Sequence, residues 1–210
     1  MSSDLTKFQK LLSALHQDGT ENLKTKITRM PIIKNANWIH NADDIKTLTS
    51  SNSGDFGDKI ISLNPPSRLK DSVIGLWCRW DFEKPYKSKV EIMVCRGKDA
   101  KAGAKSYGFR IDPPHFQGDQ RHNYWHAQYI QAFEKIDSIK FPLANNVDWI
   151  DGSVPAHPIV FSEPENFSIT DTTIYAALSI YGASLPPNIK TVAKLLGLNK
   201  NFEYILSKVT

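Results

Sequence analysis

Two apolar runs with a six-residue break constrain this chain most: SVIGLWCRWDF at 72–82 and KVEIMVCR at 89–96, joined by EKPYKS. Both are rich in β-branched and aromatic residues, and the break is charged and holds Pro85, so the pair reads as an antiparallel hairpin. Past the flexible basic stretch GKDAKAGAK at 97–105, SYGFRID at 106–112 supplies a third strand, which Pro113 and Pro114 end. Consecutive strands this close form a meander. KIISL at 59–63, stopped by Pro65 and Pro66, adds a fourth strand.

Helical spacing brackets this sheet. Leu5, Phe8, Leu11, Leu12 and Leu15 recur at three and four behind Ser3 or Asp4 as a cap, which predicts an amphipathic helix over 3–17. Between that helix and the strands, 30–34 reads as a short strand, 42–48 as a short helix, and TSSNSGDFGD at 49–58 as a surface loop. After residue 120, the recurrence of Trp125, Tyr129, Ala132, Phe133, Ile136 and Ile139 predicts a helix over 121–137. Four prolines mark 141–166 as an extended connector. TDTTIYAALSIYG then reads as a helix capped by Thr170 or Asp171 and stopped by Gly182, and two shorter helices follow at 186–197 and 199–209.

At 210 residues the chain suits one domain. The expected class is α+β, an antiparallel meander of about four strands packed with an N-terminal helix and C-terminal helices, with 168–210 as a helical part of the same domain 1–210. The formal net charge is +4, a mild excess compatible with a nucleic-acid partner. No window approaches the ~20 consecutive apolar residues that cross a bilayer, and MSSDLTKFQK is polar where a signal peptide needs an apolar stretch. A cytoplasmic protein, of bacterial type and without a membrane partner, is therefore expected. Cys78 and Cys95 are isolated, which favours reduced thiols and speaks against a thiolate zinc site.

Two groups of residues carry the chemistry. The first is RHNYWHAQY at 121–129, where His122 and His126 share one face in either a helix or a strand. Asp112 and His115 lie just upstream, and Asp112 is suited to orient an imidazole as a general base. A zinc ion needs more ligands than the two histidines supply, a set that Asp112 and His115 would complete, and Asn123 stands where an HExxH helix has glutamate; no cofactor is called for. The second group is the face of the 72–82 strand that carries Trp77, Arg79 and Asp81. The core side holds Ile74, Leu76, Cys78, Trp80 and Phe82. With Arg110, Asp112 and Arg121 nearby, the mixed face suits an anionic ligand or, equally, cross-strand ion pairs. A magnesium nuclease core would need lysine where Met93 follows Glu91, which argues against that class. No Gly-x-Ser-x-Gly elbow or phosphate loop is present.

Two family likenesses are legible. TVAKLLGLNKNFEYILSKV resembles a helix-turn-helix unit in Ala193, Gly197 and Leu198, with Glu203 where that pattern prefers an aliphatic residue. The order of helix, meander, Pro-Pro turn, His-rich segment and terminal helices is similar to the ubiquitin-conjugating enzyme fold. RHNYWH echoes that family's His-Pro-Asn tripeptide without its proline, and no cysteine follows as nucleophile, so this resemblance implies a catalytically inactive relative. Three functions are thus carried forward. The first is an accessory module that binds nucleic acid or protein through a basic-aromatic surface of Trp77, Arg79, Arg110, Arg121 and His122. The second is a small hydrolase or nuclease using His122 and His126, and the third is the inactive ubiquitin-conjugating-like protein.

Overall fold

The computed structural model describes residues 3–16, 37–39, 41–96, 107–113, 125–130, 157–158 and 168–181. These form helices α1 (Ser3–Leu15), α2 (Ala42–Leu48) and α3 (Ile169–Tyr181). The strands are β1 (Asn37–Ile39), β2 (Ser53–Asp55), β3 (Lys59–Leu63), β4 (Ser72–Asp81), β5 (Lys89–Arg96), β6 (Tyr107–Asp112), β7 (His126–Ile130) and β8 (His157–Pro158). One mixed sheet runs β1-β3-β4-β5-β6-β7-β8, with β2 also on β4. Every pairing is antiparallel except β1 with β3. The class is α+β with a central meander, and the four expected strands are β3 to β6. The other four are only two to five residues long, too short for a periodicity to mark.

Two expectations are overturned. The 49–58 stretch read as a surface loop supplies β2 and the buried Phe56, because β4 offers it an edge to pair with. The second lies past residue 120. The segment 126–130 is a strand, not part of a helix, and pairs along its length with β6 from His126 opposite Asp112 to Ile130 opposite Gly108. Its spacing of four is even, so it satisfies strand alternation as well as a helical turn, and pairing to an existing sheet edge decides the outcome. Residues 131–137 lie outside the described residues, as do 30–34, 97–105 and 186–209. Within the expected connector, β8 adds a short edge to β7.

The long strand β4 organises the rest. Its far edge is shared by β2, opposite 79–81, and β3, opposite 74–76. The turn between them needs Gly57, whose φ of 59° is left-handed and whose N–H donates to Asp55 Oδ1 at 2.7 Å. Trp77 and Trp80 are three apart and so project from opposite faces. Each donates its indole N–H to this edge segment, Trp77 to Gly57 O and Trp80 to Ser51 O, both at 3.0 Å. Two buried tryptophans thus strap residues 51–57 to the sheet.

Helices α1 and α3 cover the Trp80 face. Phe8 stacks near Trp80 and Phe82, with centroids 5.8 and 6.0 Å away, and Phe56 meets Trp80 at 5.5 Å. From α3, the Thr173 hydroxyl lies 4.0 Å from the Cys78 thiol. Ser168 and Asp171 cap α3 reciprocally, so the cap begins two residues earlier than the sequence suggests. A polar joint ties helices to sheet. The Asn64 N–H and side-chain amide donate to Leu15 O and His16 O, while the Tyr181 hydroxyl donates to Asn64 O. The α1 terminus is thereby capped from the end of β3.

The register also settles the cysteines. Cys78 pairs with Val90 and Cys95 with Val73, so the two positions are roughly 17 Å apart along the strands, beyond disulfide reach.

Two measurements check this packing. Asn64→Ala removes the side-chain amide that donates to His16 O, while the backbone N–H to Leu15 O stays, and is expected to cost about 1–3 kcal/mol in denaturant unfolding; a change below about 0.5 kcal/mol would contradict the joint. Burial raises the Cys78 thiol far above its ordinary 9.0, outweighing the opposing Thr173 hydrogen bond, and Glu91 adds to the rise; burial likewise raises Tyr181 above 10.0. Protons stay on these groups in the fold but leave in the unfolded chain, so stability is intact below about pH 9 and should fall steadily above it. A flat alkaline limb in a pH series of thermal melts would count against this burial.

Candidate functional site

Cross-strand register gathers ionisable residues on the sheet face opposite α1 and α3. Arg79 pairs with Lys89, and Asp112 with His126, so β4 to β7 contribute one transverse row. The neighbouring row is Trp77, Glu91 and Arg110. Residues two apart on a strand share a face, so both rows point the same way. The sequence spacing therefore does bring Asp112 to one of the two histidines, and Arg110 to Asp112.

The contacts form a chain. Lys89 Nζ lies 2.6 Å from Glu91 Oε1 and 3.9 Å from Asp112 Oδ1. Arg110 Nε lies 2.7 Å from Asp112 Oδ2, and His126 Nε2 lies 3.8 Å from that same oxygen. The Lys89–Glu91 contact is close but poorly aligned for a hydrogen bond, and neither Glu91 oxygen has a hydrogen-bond partner among the described residues. It is an ion pair. Arg79 stands apart, 3.8 Å from Asp55 Oδ2 and with its guanidinium carbon 5.7 Å from the Trp77 ring centre.

Exposure is graded across these side chains. Glu91 has none, Asp112 retains 13% and Lys89 14%, while Arg110 retains 24% and Arg79 52%. The carboxylates lie deepest and the two arginines reach furthest out. Removing ions from water is costly, and a fully buried carboxylate persists only because a cation sits beside it. The Asp112 carboxylate against Arg110 Nε also fixes the direction of that guanidinium fork.

Several expected site residues fall differently. Trp77 is buried rather than part of an open aromatic surface, because its indole is engaged by Gly57 and both faces of β4 are covered. Trp77 lies on the face that strand alternation gives it, and that face is buried at this position. Tyr86 is instead the large hydrophobic that stands exposed among the described residues, at 55%, on the β4–β5 turn between exposed Lys84 and Lys87. That turn is held by Asp81 Oδ1, which accepts the N–H groups of Glu83 and Lys84 at 3.1 and 2.8 Å. A proline beside an aromatic in a charged turn, KPYK, was the available signal for it. Glu91 was weighed only as a nuclease carboxylate, since nothing in its spacing foretells complete burial. His115, Arg121 and His122 lie outside the described residues, with the tripeptide-like 121–124 and the helix-turn-helix residues.

Among the described residues no group of three His, Cys, Asp or Glu side chains is placed to hold a metal ion, and no helix is long and apolar enough to cross a membrane. Cys78 is buried with its thiol held protonated, so it is not a nucleophile in the folded chain.

The ion pairing has a direct test. Lys89→Met alone strands the Glu91 charge and is expected to destabilise by about 3–5 kcal/mol, whereas adding Glu91→Leu should restore most of that loss. Equal stability of the single and double variants in urea unfolding would show that Glu91 does not depend on Lys89. No protein-family model, curated protein or solved structure matches this chain.

Proposed function

We propose that the chain is a non-enzymatic binding or accessory module, acting in the cytoplasm, whose partner is a nucleic acid held by its phosphates on the Arg79–Lys89–Arg110 face. The observation that carries this reading is the inside-out order of charge, with carboxylates buried beneath and arginines reaching outward. Phosphate contact requires cations whose donors are aimed in advance, and Asp112 supplies that aim for Arg110. The adjoining turn adds Lys84 and Lys87, neither of which makes an ion pair among the described residues, and Tyr86 as a rigid stacking surface. Glu83 is exposed on the same turn and limits how negative a partner it tolerates. The net charge of +4 favours approach to a polyanion.

A second reading rests on the Asp112–His126 contact, which is the pairing a histidine general base needs. It makes the chain a small hydrolase or nuclease. Against it, the His126 side chain is almost wholly enclosed and Asp112 already serves Arg110.

The two readings separate in one set of measurements. Fluorescence anisotropy with a short labelled duplex and a single strand should show affinity falling steeply with salt, and Arg79→Ala should reduce the log–log slope by roughly one. Binding that ignores salt, or no binding at low salt, removes nucleic acid and leaves a protein partner. Turnover of nuclease or phosphodiester substrates that vanishes in His126→Ala would establish the enzyme instead.

A further inference from the structure

The turn between β4 and β5 carries more than its lysines. Tyr86 is 55% exposed at the tip of the hairpin, and its side chain lies outside the hydrophobic core. We infer that Tyr86 stacks on an unpaired base, so that the partner of this face is a single strand in preference to a duplex. The inference rests on the nucleic-acid reading of the face and names which form of nucleic acid it takes.

The turn is built to hold that ring still. Pro85 fixes φ at the first position of the short 3₁₀ turn Pro85–Lys87. The Lys87 N–H donates to Lys84 O at 2.8 Å and the Ser88 N–H to Pro85 O at 2.9 Å. At the end of β4, Asp81 Oδ1 accepts from the N–H groups of Glu83 and Lys84, and the Asp81 N–H donates to Oγ of the buried Ser88 at 3.1 Å. All of these bonds join residues 81–88. The tip is therefore ordered before a partner arrives, and little conformational freedom is lost in fixing it on binding.

Charge and shape together select the ligand. Lys84 and Lys87, both exposed, precede and follow Tyr86 in the chain, and Arg79 lies two residues before the end of β4. Against them stand Glu83, exposed, and Asp81, whose Oδ1 is taken up by the turn's own N–H groups. A base lying on the ring has a phosphate on each side of its sugar, so cations bracketing an aromatic match a nucleotide chain. A duplex hides its base faces in the stack and offers the ring none unless a step is unstacked, whereas a single strand offers every base. Phosphate contact alone gives the opposite order, because a duplex carries two charges for each one on a strand of the same length. Preference for the single strand is thus a signature of the ring and not of the cations.

The test compares, by fluorescence anisotropy with the full chain at one low salt concentration, a labelled thymidine strand of about 12 nucleotides and the duplex it forms with its complement. The strand should bind roughly fivefold tighter or more. Tyr86→Ala should weaken strand binding by roughly fivefold to a hundredfold and duplex binding by less than about twofold. Its salt slope on the strand should match that of the unsubstituted chain, because no charge is removed. Tyr86→Phe should keep strand affinity within about twofold, since the ring face and not the hydroxyl does the stacking. Replacing an exposed turn side chain leaves the fold in place, so each loss reads on binding. Three results overturn the stacking: a duplex bound as tightly as the strand, unchanged strand affinity in Tyr86→Ala, or an equal loss in Tyr86→Phe. Where affinity still falls with salt, each of them leaves the phosphate reading standing. Absence of binding to strand and duplex alike at low salt overturns the two together.

Discussion

A carboxylate with no exposure, in the middle of a sheet covered on both faces, sets the terms for this molecule. Glu91 lies across from Trp77 on the central hairpin, and among the described residues it is Lys89, two residues away on the same face, that stands close enough to balance it. From that pair the rest of the face follows. Lys89 bridges to Asp112, Asp112 holds Arg110, and Arg110 is directed outward, so the burial of one charge propagates into the placement of others. A hydrophobic pair would pack there at lower cost. The ionic solution makes sense where the outward cations have something to meet.

The opposite face is conventional by comparison. Its aromatic contacts, Phe8 and Phe56 on Trp80, anchor α1 and the edge segment, and the Asn64 joint closes the helix ends. Division of labour between the faces is built into β4 itself, since Trp77 and Trp80 leave it on opposite sides and fasten the same loop. One face is apolar and packed by helices, and the other buries Trp77 and Glu91 while its charged residues are graded toward solvent. Both rely on the same strap.

Much of this was legible from residues alone. The β4–β5 hairpin, β6, α1, α2 and α3 each carry enough length and periodicity to be read directly. The core side of β4 follows from the alternation of Ile74, Leu76, Cys78 and Trp80. What escaped has physical causes. Short β1, β2 and β8 exist because longer neighbours offer an unpaired edge, and His126–Ile130 joins the sheet for the same reason despite a spacing that also suits a helix. The pairing of Asp112 with His126 was open to inference from proximity, whereas the complete burial of Glu91 and the covering of Trp77 depend on tertiary packing that no local pattern encodes. Tyr86 was passed over because a turn residue has no periodicity to mark it.

The central claim is that the cations of this face, Arg110 held by the buried Asp112 and Arg79 beside it, meet a polyanion. Chemical-shift mapping of the isotope-labelled chain during titration with a short DNA duplex tests it most directly. The account predicts shifts concentrated at Arg79, Lys89 and Arg110 and on the turn around Tyr86, with the α1 face unmoved. Shifts confined to the helical face, or none at saturating duplex, would contradict it.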